Sequence, residues 1–283
     1  MKAFLECIPC ILRQTAEVAK MVTTDPKLQL KAVRAATRIL GKADPAKMSA
    51  PMLTTAVHKE LKQVLKTKDL YKKVKEIENK KALAMYPELE KIASGAKDKL
   101  DMAVRLAILG NVLDYGAILR FDLPALLKKI KTLKFGKYDL EKFRRALISK
   151  KKILYIGDNA GEIVFDKLLI RELQSRDCEV VYAVKNEPIL NDITMADAKS
   201  VGMLKLTKVI ESGSTTPGTL MSEFSAEMKK AYRWADLIIA KGQGNLETCD
   251  NWDKPVFFLL KMKCPYLADR IKVKTGDLML WQR

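Results

Sequence analysis

From residue 150 onward the chain alternates short apolar runs with stretches of helical periodicity, and this alternation restricts the fold more than any other feature. KKILYIGD, CEVVYAVK, LTKVIESG, DLIIAKG and KPVFFLLK have strand length and strand composition, and DLMLWQ is a sixth such run. Between them lie IVFDKLLIRELQS, PILNDITMADAKSVGM and TLMSEFSAEMKKAYRWA, all read as helical. Strands that are apolar throughout and separated by helices make a mostly parallel sheet covered on both faces. The expected fold class is α/β, a Rossmann-like three-layer α/β/α domain over residues 149–283. Residues 1–148 differ: CIPCILRQTAEVAKMV, LQLKAVRAATRIL, AVHKELKQVLKTKDLYKKVKEIENKKAL and KLDMAVRLAILGNVLDYGAIL carry helical spacing, and no strand is expected there. That part is expected to be a helical subdomain, with Asp25-Pro26, Asp44-Pro45 and Phe121-Asp122-Leu123-Pro124 as helix starts or breaks.

Open α/β sheets bind ligands beyond the C-terminal ends of their strands. The residues that follow each expected strand are accordingly the candidate site. They include Gly157-Asp158-Asn159-Ala160-Gly161-Glu162 after the first and Asn191-Asp192 beyond the second. Ser212-Gly213 follows the third, and Lys241-Gly242-Gln243-Gly244-Asn245-Leu246-Glu247 the fourth. Lys261 and Lys263 follow the fifth. Asp158, Asn159 and Asp192 offer hard oxygens that suit a divalent cation such as Mg²⁺ or Mn²⁺. Lys241, Lys261, Ser212 and the Gly-rich backbone suit a phosphate. A cation site beside an anion cradle is equipment for phosphoryl chemistry.

Composition removes several alternatives. The single histidine, His58, lies in the polar helical stretch TTAVHKELKQ and is expected at the surface, which leaves no base for a Ser-His-Asp triad and too few ligands for a typical zinc hydrolase. Cys7, Cys10, Cys178, Cys249 and Cys264 are odd in number and mostly far apart, so a disulfide framework is not expected and a reducing cytoplasm is. No apolar run has the ~18–20 residues of a membrane span, and the start MKAFLECIPC lacks the apolar core of a secretion signal. The formal charge of +18 favours anionic partners. Aromatic residues are only 7% and are not interleaved with the lysines, which argues against a nucleic-acid binder. GDNAGE is not G-x-G-x-x-G, and Asp158 would repel a dinucleotide's pyrophosphate. The same loop counts against an S-adenosylmethionine-dependent methyltransferase, the other enzymatic alternative. Cys7-x-x-Cys10 lacks the second pair of a zinc site and the neighbouring βαβ of a redox motif.

ECIPCILRQ, AILGNVLDYG, YIGDNAGEIVFD, LNDIT, ESGSTTPG, ADLIIAKGQGNLET and FFLLKMKC together resemble the damage-control phosphatases, formerly the domain-of-unknown-function family eighty-nine. The likeness is to the archaeal and bacterial subfamily with an N-terminal CxxC, here Cys7 and Cys10. It implies a cytoplasmic, metal-dependent phosphatase acting on small phosphorylated metabolites, such as sugar phosphates or phosphorylated cofactor intermediates. It implies a divalent ion (Mn²⁺, Ni²⁺, Co²⁺ or Mg²⁺) on Asp158, Asn159 and Asp192. It further implies phosphate contacts from Lys241 and its loop (Gly242, Gly244, Asn245, Glu247) and from Lys261 or Lys263. The helical part of the family contributes to the cleft, which places Asn111 and Asp114 at its rim. The attacking group is either water or the Asp158 carboxylate.

Overall fold

The computed structural model describes residues 1–112, 130, 133–149 and 151–283. The first three helices, α1 (Cys7–Val22), α2 (Pro26–Leu40) and α3 (Ala50–Val64), share a small apolar core around Val18, Ala36, Leu53, Val57 and Leu61. Capping fixes two of their starts: Asp25 Oδ1 accepts from Lys27 N (2.9 Å), and Ser49 Oγ accepts from Met52 N (3.3 Å). Asp44-Pro45 opens no helix; Asp44 Oδ1 accepts from Ala46 N in a turn. Phe121–Pro124 lies outside the described residues. The long helical stretch from Ala56 breaks after α3, where Lys66 takes φ 52°, and resumes as α4 (Lys72–Gly95), followed by α5 (Lys99–Val112).

Among the described residues, seven strands form one sheet in the order β1-β7-β6-β5-β2-β3-β4. They are β1 (Phe135–Tyr138), β2 (Lys152–Ile156), β3 (Glu179–Val184), β4 (Lys208–Glu211), β5 (Leu237–Lys241), β6 (Val256–Lys261) and β7 (Leu278–Gln282). β2 pairs in parallel with both β3 and β5, β3 with β4, and β5 with β6. β7 runs antiparallel to β6, and β1 lies parallel to β7 at the edge. The chain therefore builds outward from β2 in one direction through β3 and β4, then returns to build the other way through β5 and β6. The loops after β2 and β5 leave the sheet side by side at this reversal, the position where open α/β sheets bind ligands.

Alternation along β2 explains its burial on both faces. Ile153 and Tyr155 join one core; Leu154 and Ile156 join the other. The helices between the strands are α6 (Leu140–Ala146), α7 (Glu162–Gln174), α8 (Met195–Ser200), α9 (Ala226–Trp234), α10 (Gly242–Cys249) and α11 (Pro265–Ile271). Two are shorter than their periodicity suggested. α8 begins only at Met195, where Thr194 and Asp197 form a capping box, and α9 only at Ala226, where Ser225 Oγ accepts from Met228 N (3.0 Å). Packing crosses the compositional break at 148/149. α4 and α5 lie on α7 and share the core of the sheet, and β1 adds a strand from the first 148 residues. Gly110 permits the close approach of α5 to α7: a Cβ there would sit 3.1 Å from Phe165 Cβ.

His58 corrects an expectation. It is buried on the inner face of α3 beside Val57 and Leu61, with its ring stacked on Tyr71 at 6.2 Å. Burial, with Lys62 nearby, lowers its pKa to about 4.

Candidate active site

Two loops meet at the switch point. Asp158 O accepts from Ile193 N, and Asn191 O accepts from Ala160 N, both at 2.9 Å. Asn159 and Asp192 are thereby paired across a short antiparallel bridge. This brings Asp158, Asn159 and Asp192 together on one cleft of about 300 Å³. Gln243 and Gly244 from the start of α10 and Lys263 beyond β6 line the same side. The opposite wall comes from the helical part: Gln14, Glu17, Val18 and Met21 on α1, with Tyr71. Leu190, in the left-handed region at φ 47°, lines the cleft and packs against the α1–α3 core. Strain of this kind is kept where surrounding structure fixes a functional loop.

Beneath the cleft lies a buried polar network. Asn111 Nδ2 donates to Asp158 Oδ2 (3.0 Å) and to Glu162 Oε2 (2.9 Å), and Asn111 Oδ1 accepts from Lys261 N (2.9 Å). Asn159 Nδ2 donates to Asp158 Oδ2 (2.7 Å). Lys241 Nζ is wholly buried, 2.5 Å from Glu162 Oε1 and 2.7 Å from Asp166 Oδ1, and it donates to Ala107 O (2.8 Å). Asp166 also accepts from the hydroxyls of Tyr155 and Tyr182, each at 2.7 Å. α4 holds the loop from the side: Asn79 Oδ1 accepts from Gly161 N (2.7 Å), and Lys75 pairs with Asp197 (3.0 Å).

The cleft end of this network carries excess negative charge. Burial, then the Glu162 and Asp192 carboxylates, push the pKa of Asp158 well above the ordinary range, against Lys263 and Lys185. Burial also raises Glu162, opposed by Lys241, and raises Asp192 to about 6, opposed by Lys185. Asp192 Oδ2 is buried with no hydrogen-bond partner among the described residues, and the Lys185 ammonium is 3.6 Å away. Lys185 Nζ itself donates to Gly218 O. Burial works against charge on Lys241, yet Asp166 and Glu162 hold its pKa above that of a free lysine.

Several predicted site residues take other positions. Lys241 is the main correction. Its ammonium is turned under the site, and its contacts are two carboxylates and a carbonyl, so it supports the acidic loop from below rather than lining the cleft. A lysine that ends a strand reads the same from sequence whether it faces solvent or core. Lys263, the alternative to Lys261, lines the cleft, while the backbone of Lys261 holds Asn111. Ser212 and Gly213 lie outside the cleft lining: Ser212 is buried with Oγ accepting from Ser214 N (3.2 Å), and Gly213 turns at φ 86° against Glu223 and Ser225. Asn245 is buried and ties α10 to β2, donating to Gly157 O (3.2 Å) and Lys241 O (2.7 Å). Glu247 Oε1 accepts from Gln243 Nε2 (3.0 Å), away from the cleft lining. Gly242 matters sterically: at φ 78°, a Cβ would fall 1.9 Å from Asp158 Oδ2. Asp114 lies outside the described residues. Cys7 is half-buried and Cys10 exposed, and both are unpaired thiols. Burial raises the Cys7 pKa, the reverse of what a thiolate nucleophile needs.

Residues that sequence reasoning left out of the site include Gln14 and Glu17. Glu162, the last residue of the loop named from sequence, opens α7 and lies beneath the cleft rather than in its lining. Gln14 and Glu17 follow Cys7 and Cys10 by seven residues each, hence on the same face of α1.

Fold and site together define an α/β protein whose switch-point crevice is lined by acidic and amide side chains rather than by a dinucleotide loop. The damage-control phosphatase ARMT1-like domain matches residues 3–279, and the chain belongs to that family. It is 35% identical to a damage-control phosphatase of Pyrococcus horikoshii over 99% of this chain and 97% of the relative. It is 32% identical to a damage-control phosphatase of Archaeoglobus fulgidus over 99% and 98%. The crystal structure of a DUF89 family protein from Pyrococcus horikoshii superposes with a TM-score of 0.91 at 32% identity, covering 100% of this chain and 99% of that one. No helix among the described residues is long and apolar enough to cross a membrane.

Proposed function

We propose that this protein is a metal-dependent phosphatase that hydrolyses phosphomonoesters of small metabolites and serves in metabolite damage control. The observation that carries the reading is the convergence of Asp158, Asn159 and Asp192 on one cleft beside Gly244 and Lys263.

The donors fit a divalent cation. Two buried carboxylates have raised pKa values, and Asp192 Oδ2 has no hydrogen-bond partner among the described residues, so positive charge here would satisfy what Lys185 compensates only in part. Among the described residues no three His, Cys, Asp or Glu side chains form a ready metal cluster. The ligand set is therefore two carboxylates plus the Asn159 amide, whose oxygen would replace its nitrogen after a simple turn of the amide plane. Such an ion, Mn²⁺, Co²⁺, Ni²⁺ or Mg²⁺, supplies Lewis acidity toward a phosphoryl oxygen.

The chain's own groups do the rest. Lys263 and the first-turn N–H groups of α10, which have no acceptor within their helix, orient the remaining phosphoryl oxygens. Asn111 and Lys241 hold Asp158 and Glu162 in place. Rapid quench distinguishes attack by Asp158 from attack by water, since only the first leaves a phosphoaspartate.

The test uses chelator-stripped protein, p-nitrophenyl phosphate and a panel of sugar phosphates, with single divalent ions added back. Activity should return with the ion and be absent from Asp158→Ala. Folded wild-type protein that is inactive with every ion would overturn the proposal.

A further inference from the structure

The phosphoryl end of the cleft says nothing about which alcohol is released; the opposite wall does. Gln14, Glu17, Val18 and Met21 recur at three- and four-residue spacing on α1, so one helix face meets the ligand. That face is apolar at Val18 and Met21 and polar at Gln14 and Glu17. Asp158, Asp192 and Lys263 lie on the other wall. Among the described lining residues, Glu17 is the one charged group on the helical wall, and Lys263 is the one cation.

The protein as a whole carries +18 and attracts anions of every kind. Discrimination between anions must then be local. A phosphoester with a second negative group would present it to Glu17, with no described cation on that wall to receive it. An alcohol bearing hydroxyls or an amine would instead meet the Glu17 carboxylate and the Gln14 amide as hydrogen-bond partners. The cleft's volume, about 300 Å³, lies at the small end for ligand sites, so a bound ester is held near Glu17, whose exposure leaves the charge effect partly screened by solvent.

We propose that Glu17 is a specificity residue that selects phosphomonoesters whose leaving alcohol is uncharged or cationic and disfavours those carrying a second anion. The inference rests on the phosphatase reading above.

The test compares kcat/KM for glycerol 3-phosphate and 3-phosphoglycerate, which differ by a carboxylate, in wild type, Glu17→Gln and Glu17→Lys. Two like charges about 6 Å apart at an effective dielectric of about 40–80 give about three- to tenfold discrimination. Glu17→Gln should therefore shift the ratio about three- to tenfold toward 3-phosphoglycerate, chiefly through KM. Glu17→Lys should shift it further, and both shifts should shrink in high salt. Glu17 is exposed, so both variants should keep the wild-type circular dichroism. Hydrolysis with the same ratio in all three proteins would overturn this inference alone. Failure of the wild type to hydrolyse either ester with any divalent ion would overturn the phosphatase reading and this inference with it.

Discussion

Replacing Lys241 with methionine separates a lysine that supports the site from one that touches substrate. The side chain is fully buried, and methionine nearly matches its volume, so the change is mainly one of charge. It leaves Glu162 and Asp166 without the ammonium that lies 2.5 and 2.7 Å from them. Removing one partner of a buried ion pair costs about 3–5 kcal/mol. Asp166 keeps two tyrosine hydroxyls and Glu162 keeps Asn111, which places the expected loss near the lower end, about 3 kcal/mol. Against a total stability of about 5–15 kcal/mol, that loss is readily measured. Urea unfolding followed by tryptophan fluorescence should show the midpoint move with an unchanged slope. Turnover of p-nitrophenyl phosphate should fall through kcat as the acidic loop loses its support. Lys263→Met, at an exposed cleft position, should do the converse: KM rises and stability is retained. If Lys241→Met costs under about 1 kcal/mol and raises KM with kcat intact, the ammonium reaches the substrate and the support argument fails.

Two further perturbations test the site and the helical core. Gly242→Ala forces a methyl onto Asp158 Oδ2 at a positive φ; Mn²⁺ binding by calorimetry should weaken at least about tenfold, with stability lowered by about 1 kcal/mol or more, and wild-type affinity would refute the steric reading. His58, lowered from 6.5 to about 4, is protonated in the unfolded chain but not in the folded one between those values. Stability should therefore fall as pH drops through that window, by at most about 3 kcal/mol, and His58→Met should flatten this part of the stability–pH curve. Parallel curves for the two proteins would contradict the burial argument.

The strands and the convergence of two carboxylates and an amide were legible because both are written locally. Apolar runs such as DLIIAKG form buried parallel strands; Asp158 and Asn159 stand just past the end of β2, and Asp192 lies in the loop that follows β3. What misled was direction. Lys241 faces inward because α7 sets Glu162 and Asp166 beneath it, partners 79 and 75 residues earlier in the chain. His58 looked exposed among Lys59, Glu60 and Lys62, yet it shares a helix face with Thr54 and Leu61, and only that face is buried. β1 is four residues long and pairs with β7 at the far end of the chain, so no local pattern announced it.

The helical residues divide according to which core they share. α4 and α5 belong to the core of the sheet and reach the β2–α7 loop directly: Asn79 holds Gly161, and Asn111 joins Asp158, Glu162 and the Lys261 backbone. A buried amide with three such partners fixes α5, the β2–α7 loop and β6 relative to one another, so these helices cannot move without disturbing the acids. α1–α3 have their own core and meet the loop through Leu190 and through the Lys62 ammonium, which donates to Pro188 O (2.5 Å). Their outward face can therefore change side chains at positions such as Gln14 and Glu17 without touching the network under Asp158. Under the proposed function, this arrangement separates the choice of ester from the chemistry performed on it: α1 would set which alcohol is accepted, while α4 and α5 hold Asp158 and its loop in register.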